Sequence, residues 1–136
     1  MVIYGYRNST ACIFKNIGDI MRIAEIAEVL SAKILTTSID LDQEVDNACG
    51  SDMMSDVLAY VKNQAVLLTG LNNLQVIRTA QMMDMICVVF VRGKIPSEQL
   101  VEMAEENSIV VMSTKETMFT ACGLLFSKGL KEALDE

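Results

Sequence analysis

A chain of 136 residues with 51% apolar side chains is long enough for one domain with a real core and too short for two. Its 18 acidic against 11 basic residues leave a net charge of −7, which excludes a phosphate-tracking nucleic-acid binder and a protein held on an anionic membrane surface. No apolar run reaches the roughly 18 residues of a membrane helix, and the N-terminus lacks a secretory apolar stretch and cleavage site, so a cytoplasmic location is expected.

Residues 1–20 carry no helical period, whereas Met21 opens one in which Ile23, Ile26, Ala27 and Leu30 form an apolar stripe with Glu25 and Glu28 outside it. Gly18-Asp19-Ile20 can be encoded by a purine-rich stretch resembling a bacterial ribosome-binding site. Met21 is therefore expected to be the native start and residues 1–20 an extension, against the alternative of an edge strand at residues 2–6. Helix 21–31 leads to a β-favouring piece at 33–37, an acidic connection, a short strand at 45–49 and helix 52–61. Met53, Met54, Val57 and Leu58 are expected to face inward from that helix. Then come the apolar run 65–70, helix 73–84, the β-branched strand 86–91 and helix 96–107 with Pro96 in its first turn. Strand 109–113 follows, and Ser113 with Glu116 has the spacing of a capping box that starts helix 115–126. Strands alternating with helices of ten to fifteen residues predict the α/β class. A single domain is expected over residues 21–130, a small mostly parallel sheet flanked by helices in βαβ units, with an acidic tail at 131–136.

On the last helix, Met118, Phe119, Cys122, Leu125 and Phe126 read as the buried face. That leaves Ala121, Gly123 and Leu124, small or apolar, as the candidate self-association surface. With ten methionines and so much apolar surface in a small chain, a homodimer is expected.

Ligands of open parallel sheets bind at the carboxyl ends of the strands, where helix N-termini point their amides. Four loops occupy such ends: Gly50-Ser51-Asp52, Thr69-Gly70 continuing to Asn72, Arg92-Gly93-Lys94, and Ser113-Thr114. A glycine between two cations after a buried strand suits a phosphate or carboxylate, so a small anionic ligand is expected around Arg92, Gly93 and Lys94. Ser51 reads as a helix cap and Asp52 as an acid favoured by the positive helix end, with Asp56 expected to pair with Arg78 or Arg92. Asp52 and Asp56, four apart, would alternatively hold Mg²⁺ for an enzyme, a reading ranked last. No histidine exists to activate a nucleophile, and Cys12, Cys49, Cys87 and Cys122 lie thirty-five or more residues apart without a zinc-binding spacing. No cofactor, no metal and no catalysis are expected.

The stretch from "GSDMMSDVLAYV" through "AVLLTGLNNLQVIRTAQ" to "TKETMFTACGLL" resembles a DRTGG domain. This small α/β module is also found at the N-terminus of bacterial HPr kinase/phosphorylase-like proteins and inserted in CBS-domain pyrophosphatases. The resemblance covers residues 21–126 and is nearest to short stand-alone members. It rests on the strand, loop and helix order, Gln75 with Ala80, Pro96-Ser97-Glu98, and Thr117 with Thr120-Ala121. The motif that names the family departs here: its Asp-Arg pair falls on Gly70-Leu71, and its Thr-Gly-Gly on Arg92-Gly93-Lys94. The resemblance implies a non-enzymatic regulatory or interaction module that self-associates. Its two leading readings are a sensor of a nucleotide or sugar phosphate, and an adaptor for a regulatory kinase or a hydrogenase-type redox enzyme.

Overall fold

Three apolar runs, each ending at a polar or glycine loop, form the centre of the sheet: β5 (Val66–Thr69), β6 (Cys87–Phe90) and β7 (Val110–Ser113). Every residue in them is buried, as expected where a parallel sheet is covered on both faces. The computed structural model of the chain describes residues 20–61 and 64–132. The strand weighed for residues 2–6 lies outside that range.

β1 (Met21–Arg22) enters α1 (Ile23–Leu30), and β2 (Lys33–Ile34) follows. β3 (Glu44–Val45) pairs antiparallel with β1, and β4 (Asn47–Gly50) then leads into α2 (Met54–Tyr60). α3 (Leu74–Met82) joins β5 to β6, and α4 (Glu98–Glu106) joins β6 to β7. α5 (Met118–Ser127) returns the chain to β8 (Lys131–Glu132). The six-stranded sheet has the order β2-β7-β6-β5-β4-β8, with β2 antiparallel to β7 and every other pairing parallel.

The pleat divides the core in two. Leu67, Val88, Phe90 and Val111 pack with Val57, Ile77 and Leu100 beneath α2, α3 and α4. Their neighbours Leu68, Val89 and Met112 pack on the other face with Ile26, Leu30, Ala121 and Leu125 of α1 and α5. A helix layer therefore lies on each side of the sheet, the α/β arrangement expected from the alternation of elements.

Several local expectations change. α2 begins at Met54, not at residue 52, and its inward positions are Met54 and Val57; Met53 is 59% and Leu58 41% exposed. With only seven residues, the helix turns one narrow stripe to the sheet, and Leu58 lies a quarter-turn off it. Ser113 does not cap a helix: it ends β7, and Thr117 caps α5 by accepting from the Thr120 amide. Pro96 precedes α4, whose cap is Ser97. Lys131 and Glu132 are not tail but an edge strand on β4, anchored by buried Leu130 and by the Lys131 amide donating to the Asp46 carbonyl at 3.0 Å.

Candidate functional site

The carboxyl ends of β4, β5, β6 and β7 lie side by side because the parallel register runs without slip from Gly50↔Leu68 through Thr69↔Phe90 to Phe90↔Ser113. Ladder bonds continue one residue beyond the strands: Ser51 donates to the Leu68 carbonyl, Val91 to that of Thr69, and Thr114 to that of Phe90. All four predicted loops are thus gathered at one edge, but their side chains divide into two groups.

The first group lies at the surface of the strand ends, where Asp52 and Arg92 are both exposed. Asp52 does not serve the end of α2. Its Oδ1 accepts from the Thr69 hydroxyl at 3.0 Å and from the Gly70 amide at 2.7 Å, which ties the loop after β4 to the loop after β5. The Thr69 hydroxyl oxygen accepts in turn from the Leu71 amide at 3.1 Å. Above Gly70 lies the Arg92 guanidinium, so close that a methyl on Gly70 would meet Nη2 at 2.8 Å and Asp52 Oδ1 at 3.5 Å. Arg92 itself has φ +60°, a left-handed backbone that costs a non-glycine residue about 1 kcal/mol or more. Backbone bonds hold it there: Arg92 donates to the Glu116 carbonyl and Gly93 to the Thr114 carbonyl, both at 2.8 Å. Among the described residues the guanidinium has no ion pair and no hydrogen bond; the ion pairs found there belong to Arg22.

The second group is occupied by structure. The Ser51 hydroxyl oxygen accepts from the Met53 amide at 3.0 Å, in a turn ahead of α2 rather than in a helix cap. Ser113 Oγ donates to the Lys94 carbonyl, and buried Thr114 Oγ1 donates to the Leu30 carbonyl, each at 2.7 Å. Asn72 Nδ2 donates to the Ile95 carbonyl at 3.2 Å, linking the loops after β5 and β6. Gly93 and Lys94 are exposed at the rim. Asp56 is exposed on the first turn of α2 and has no ion pair with Arg78, Arg92 or any other described residue, which corrects the expected pairing. Among the described residues no three acidic or cysteine side chains are grouped to hold a metal ion.

Residues 25–127 match the family model of the DRTGG domain. The chain belongs to the DRTGG domain family. No curated protein matches it. Among solved structures it is similar to the CBS and DRTGG domains of the regulatory region of Clostridium perfringens pyrophosphatase, complexed with the activator diadenosine tetraphosphate. The TM-score is 0.69 at 16% sequence identity, over 100% of this chain and 56% of that one. The likeness is one of fold, and this DRTGG chain spans little more than half of that structure.

The DRTGG fold here carries a second feature that the helical period misplaced. Ala121 and Leu125 are the residues of α5 that face the sheet, at 0% and 1% exposure, so Ala121 is core and not interface. Phe119 and Phe126, assigned inward from sequence, are instead 89% and 72% exposed, while Gly123 is exposed and Leu124 half-buried. Between this face of α5 and the β4–β8 edge lies an apolar groove of about 460 Å³, lined by Gly50, Met118, Phe119, Cys122 and Phe126 among others. The signal was present: a helix apolar all round cannot choose its buried side by periodicity. Two thiols sit on the groove. Burial, then the neighbouring Cys122 and Glu132, push Cys49 up to about 11, and burial also raises Cys122, so neither is a nucleophile near neutral pH.

Among the described residues no helix is long and apolar enough to cross a membrane.

Proposed function

We propose that this chain is a non-enzymatic regulatory module whose strand-end crevice senses a small anionic ligand, a nucleotide or a sugar phosphate. The observation that carries this reading is Arg92: a guanidinium held over Gly70 by a strained, hydrogen-bonded backbone, with no ion pair or hydrogen bond among the described residues. An unpaired arginine positioned by rigid strand ends is the residue type that binds phosphate bidentately. The similar regulatory region, bound to diadenosine tetraphosphate, supports a ligand of that class. The free thiols Cys49, Cys87 and Cys122 suit a reducing, cytoplasmic setting.

A thermal-shift series with diadenosine tetraphosphate, adenosine 5′-monophosphate and glucose 6-phosphate tests it. A true ligand at 100 times its Kd stabilises by about 2.7 kcal/mol, a rise in Tm of roughly 5–10 °C, and Arg92→Ala abolishes the shift. Absence of any shift, or a shift that survives Arg92→Ala, overturns the reading.

A second reading is favoured by one observation, the exposed Phe119 and Phe126 beside the groove on α5. Contiguous apolar surface of this kind is covered in use, by a second copy in a homodimer or by a partner such as a regulatory kinase or redox enzyme.

A further inference from the structure

The carboxylate beside Arg92 is an obstacle to a sensor of simple anions, because it repels the charge that the arginine attracts. It also makes no direct ion pair with the arginine. Its Oδ1 is instead fixed by Thr69 and Gly70, at 3.0 and 2.7 Å, while Oδ2 makes no hydrogen bond among the described residues. The result is an oriented acceptor with one oxygen to spare. Nη2 of Arg92 and Oδ1 of Asp52 both approach the point where a Gly70 Cβ would stand, at 2.8 and 3.5 Å, so cation and carboxylate are no more than about 6 Å apart. A ligand that carries an anion and hydroxyl donors a few bonds apart, as a pentose phosphate does, is small enough to reach both. Such a ligand, with a phosphate at one end of the pentose ring and neutral hydroxyl donors at the other, turns the repulsive carboxylate into a recognition element. In α/β sheets a strand-end carboxylate commonly accepts from ribose hydroxyls in this way.

We propose, on the footing that the crevice binds a phosphate ligand, that it recognises a ribose phosphate with a free vicinal diol. Arg92 takes the phosphate, and Asp52 Oδ2 accepts from the diol. The ribose phosphate is either part of a ribonucleotide or a free pentose phosphate.

Calorimetric titration of the whole chain separates the cases. Adenosine 5′-monophosphate is compared with its 2′,3′-dideoxy analogue, ribose 5-phosphate and inorganic phosphate. Loss of hydrogen bonds to a charged acceptor weakens the dideoxy analogue about tenfold or more. Asp52→Asn keeps an oxygen for Thr69 and Gly70, so the loops stay tied, but it replaces the free Oδ2 by an amide donor. In the variant adenosine 5′-monophosphate binds no better than the dideoxy analogue, whose own affinity does not fall, because the repelling charge is gone. Equal binding of ribose 5-phosphate and the nucleotide assigns the site to free pentose phosphates; tighter nucleotide binding assigns it to ribonucleotides. Equal affinity for the two nucleotides, or an Asp52→Asn variant that behaves as wild type, overturns diol recognition while leaving the anion site standing. Failure of every phosphate compound to bind overturns both.

Discussion

At the scale of single residues, two strand-end glycines admit neighbours of different stiffness. A Cβ on Gly70 would meet the Arg92 Nη2 at 2.8 Å, the far end of a flexible side chain. Gly70→Ala is therefore expected to leave stability within about 0.5 kcal/mol of wild type while pushing the guanidinium off its seat. The same thermal-shift series then shows loss of ligand response without loss of Tm in the free protein. A Cβ on Gly50 would meet Cys122 Sγ at 2.6 Å and Met118 Sδ at 3.0 Å. The methionine can swing away, but the short cysteine is fixed to α5, so Gly50→Ala displaces the helix and costs about 1–3 kcal/mol. Urea unfolding checks this: Cys122→Ala should recover at least about 0.5 kcal/mol in the double variant, and strict additivity would refute the contact as cause. Neither relation was legible in the sequence. The residue types at the strand ends pointed to the crevice, but the tie from Asp52 to Thr69 and Gly70 crosses seventeen or eighteen positions and exists only through the register of β4 on β5.

At the scale of elements, α5 shows how far patterning reaches. Its apolar character predicted a helix with something to cover, yet the side turned to the sheet was misassigned by about a quarter-turn. Ala121 and Leu125 win the inner face because both seat against the β-strands and α1, leaving the two phenylalanines outside. If those rings mediate self-association, Phe126→Glu should convert the protein to monomer in sedimentation velocity runs. Unfolding stability should stay within about 0.5 kcal/mol, since the ring is 72% exposed in the free chain. A wild type that sediments as a monomer at all concentrations would refute self-association, and a specific partner captured only by the wild type would instead favour the adaptor reading. Helix caps followed the same lesson. Ser97 and Thr117 lie within reach of the first-turn amides they serve, whereas Ser113 matches the capping-box spacing but is held in β7 by its ladder.

At the scale of the whole molecule, the α/β architecture was readable because three runs of apolar residues too short for buried helices alternate with amphipathic segments of helical length. The sheet edges were not, since strands of two residues, β2 and β8, carry no period at all. What the sequence could not reveal is also what couples this fold to pH. Cys87 lies on β6 in the middle of the sheet, fully buried, and burial pushes its thiol from near 9 up to about 12. Below pH 9 both folded and unfolded chains keep the proton, and the thiol has no influence on the balance. Between about 9 and 12 the unfolded chain releases it while the folded chain cannot, so the unfolded state is favoured by about 1.4 kcal/mol for each pH unit. Cys49, pushed up to about 11, adds to the same slope over a narrower window. The expected outcome is a steep loss of urea resistance from pH 9 to 11. Cys87→Ala starts from a lower stability at pH 7 because of the cavity it leaves, but it should lose stability with pH more gently than wild type. Lysine and tyrosine titrations are common to both proteins and cancel in the comparison. Equal slopes would show that the buried thiol carries none of the alkaline sensitivity.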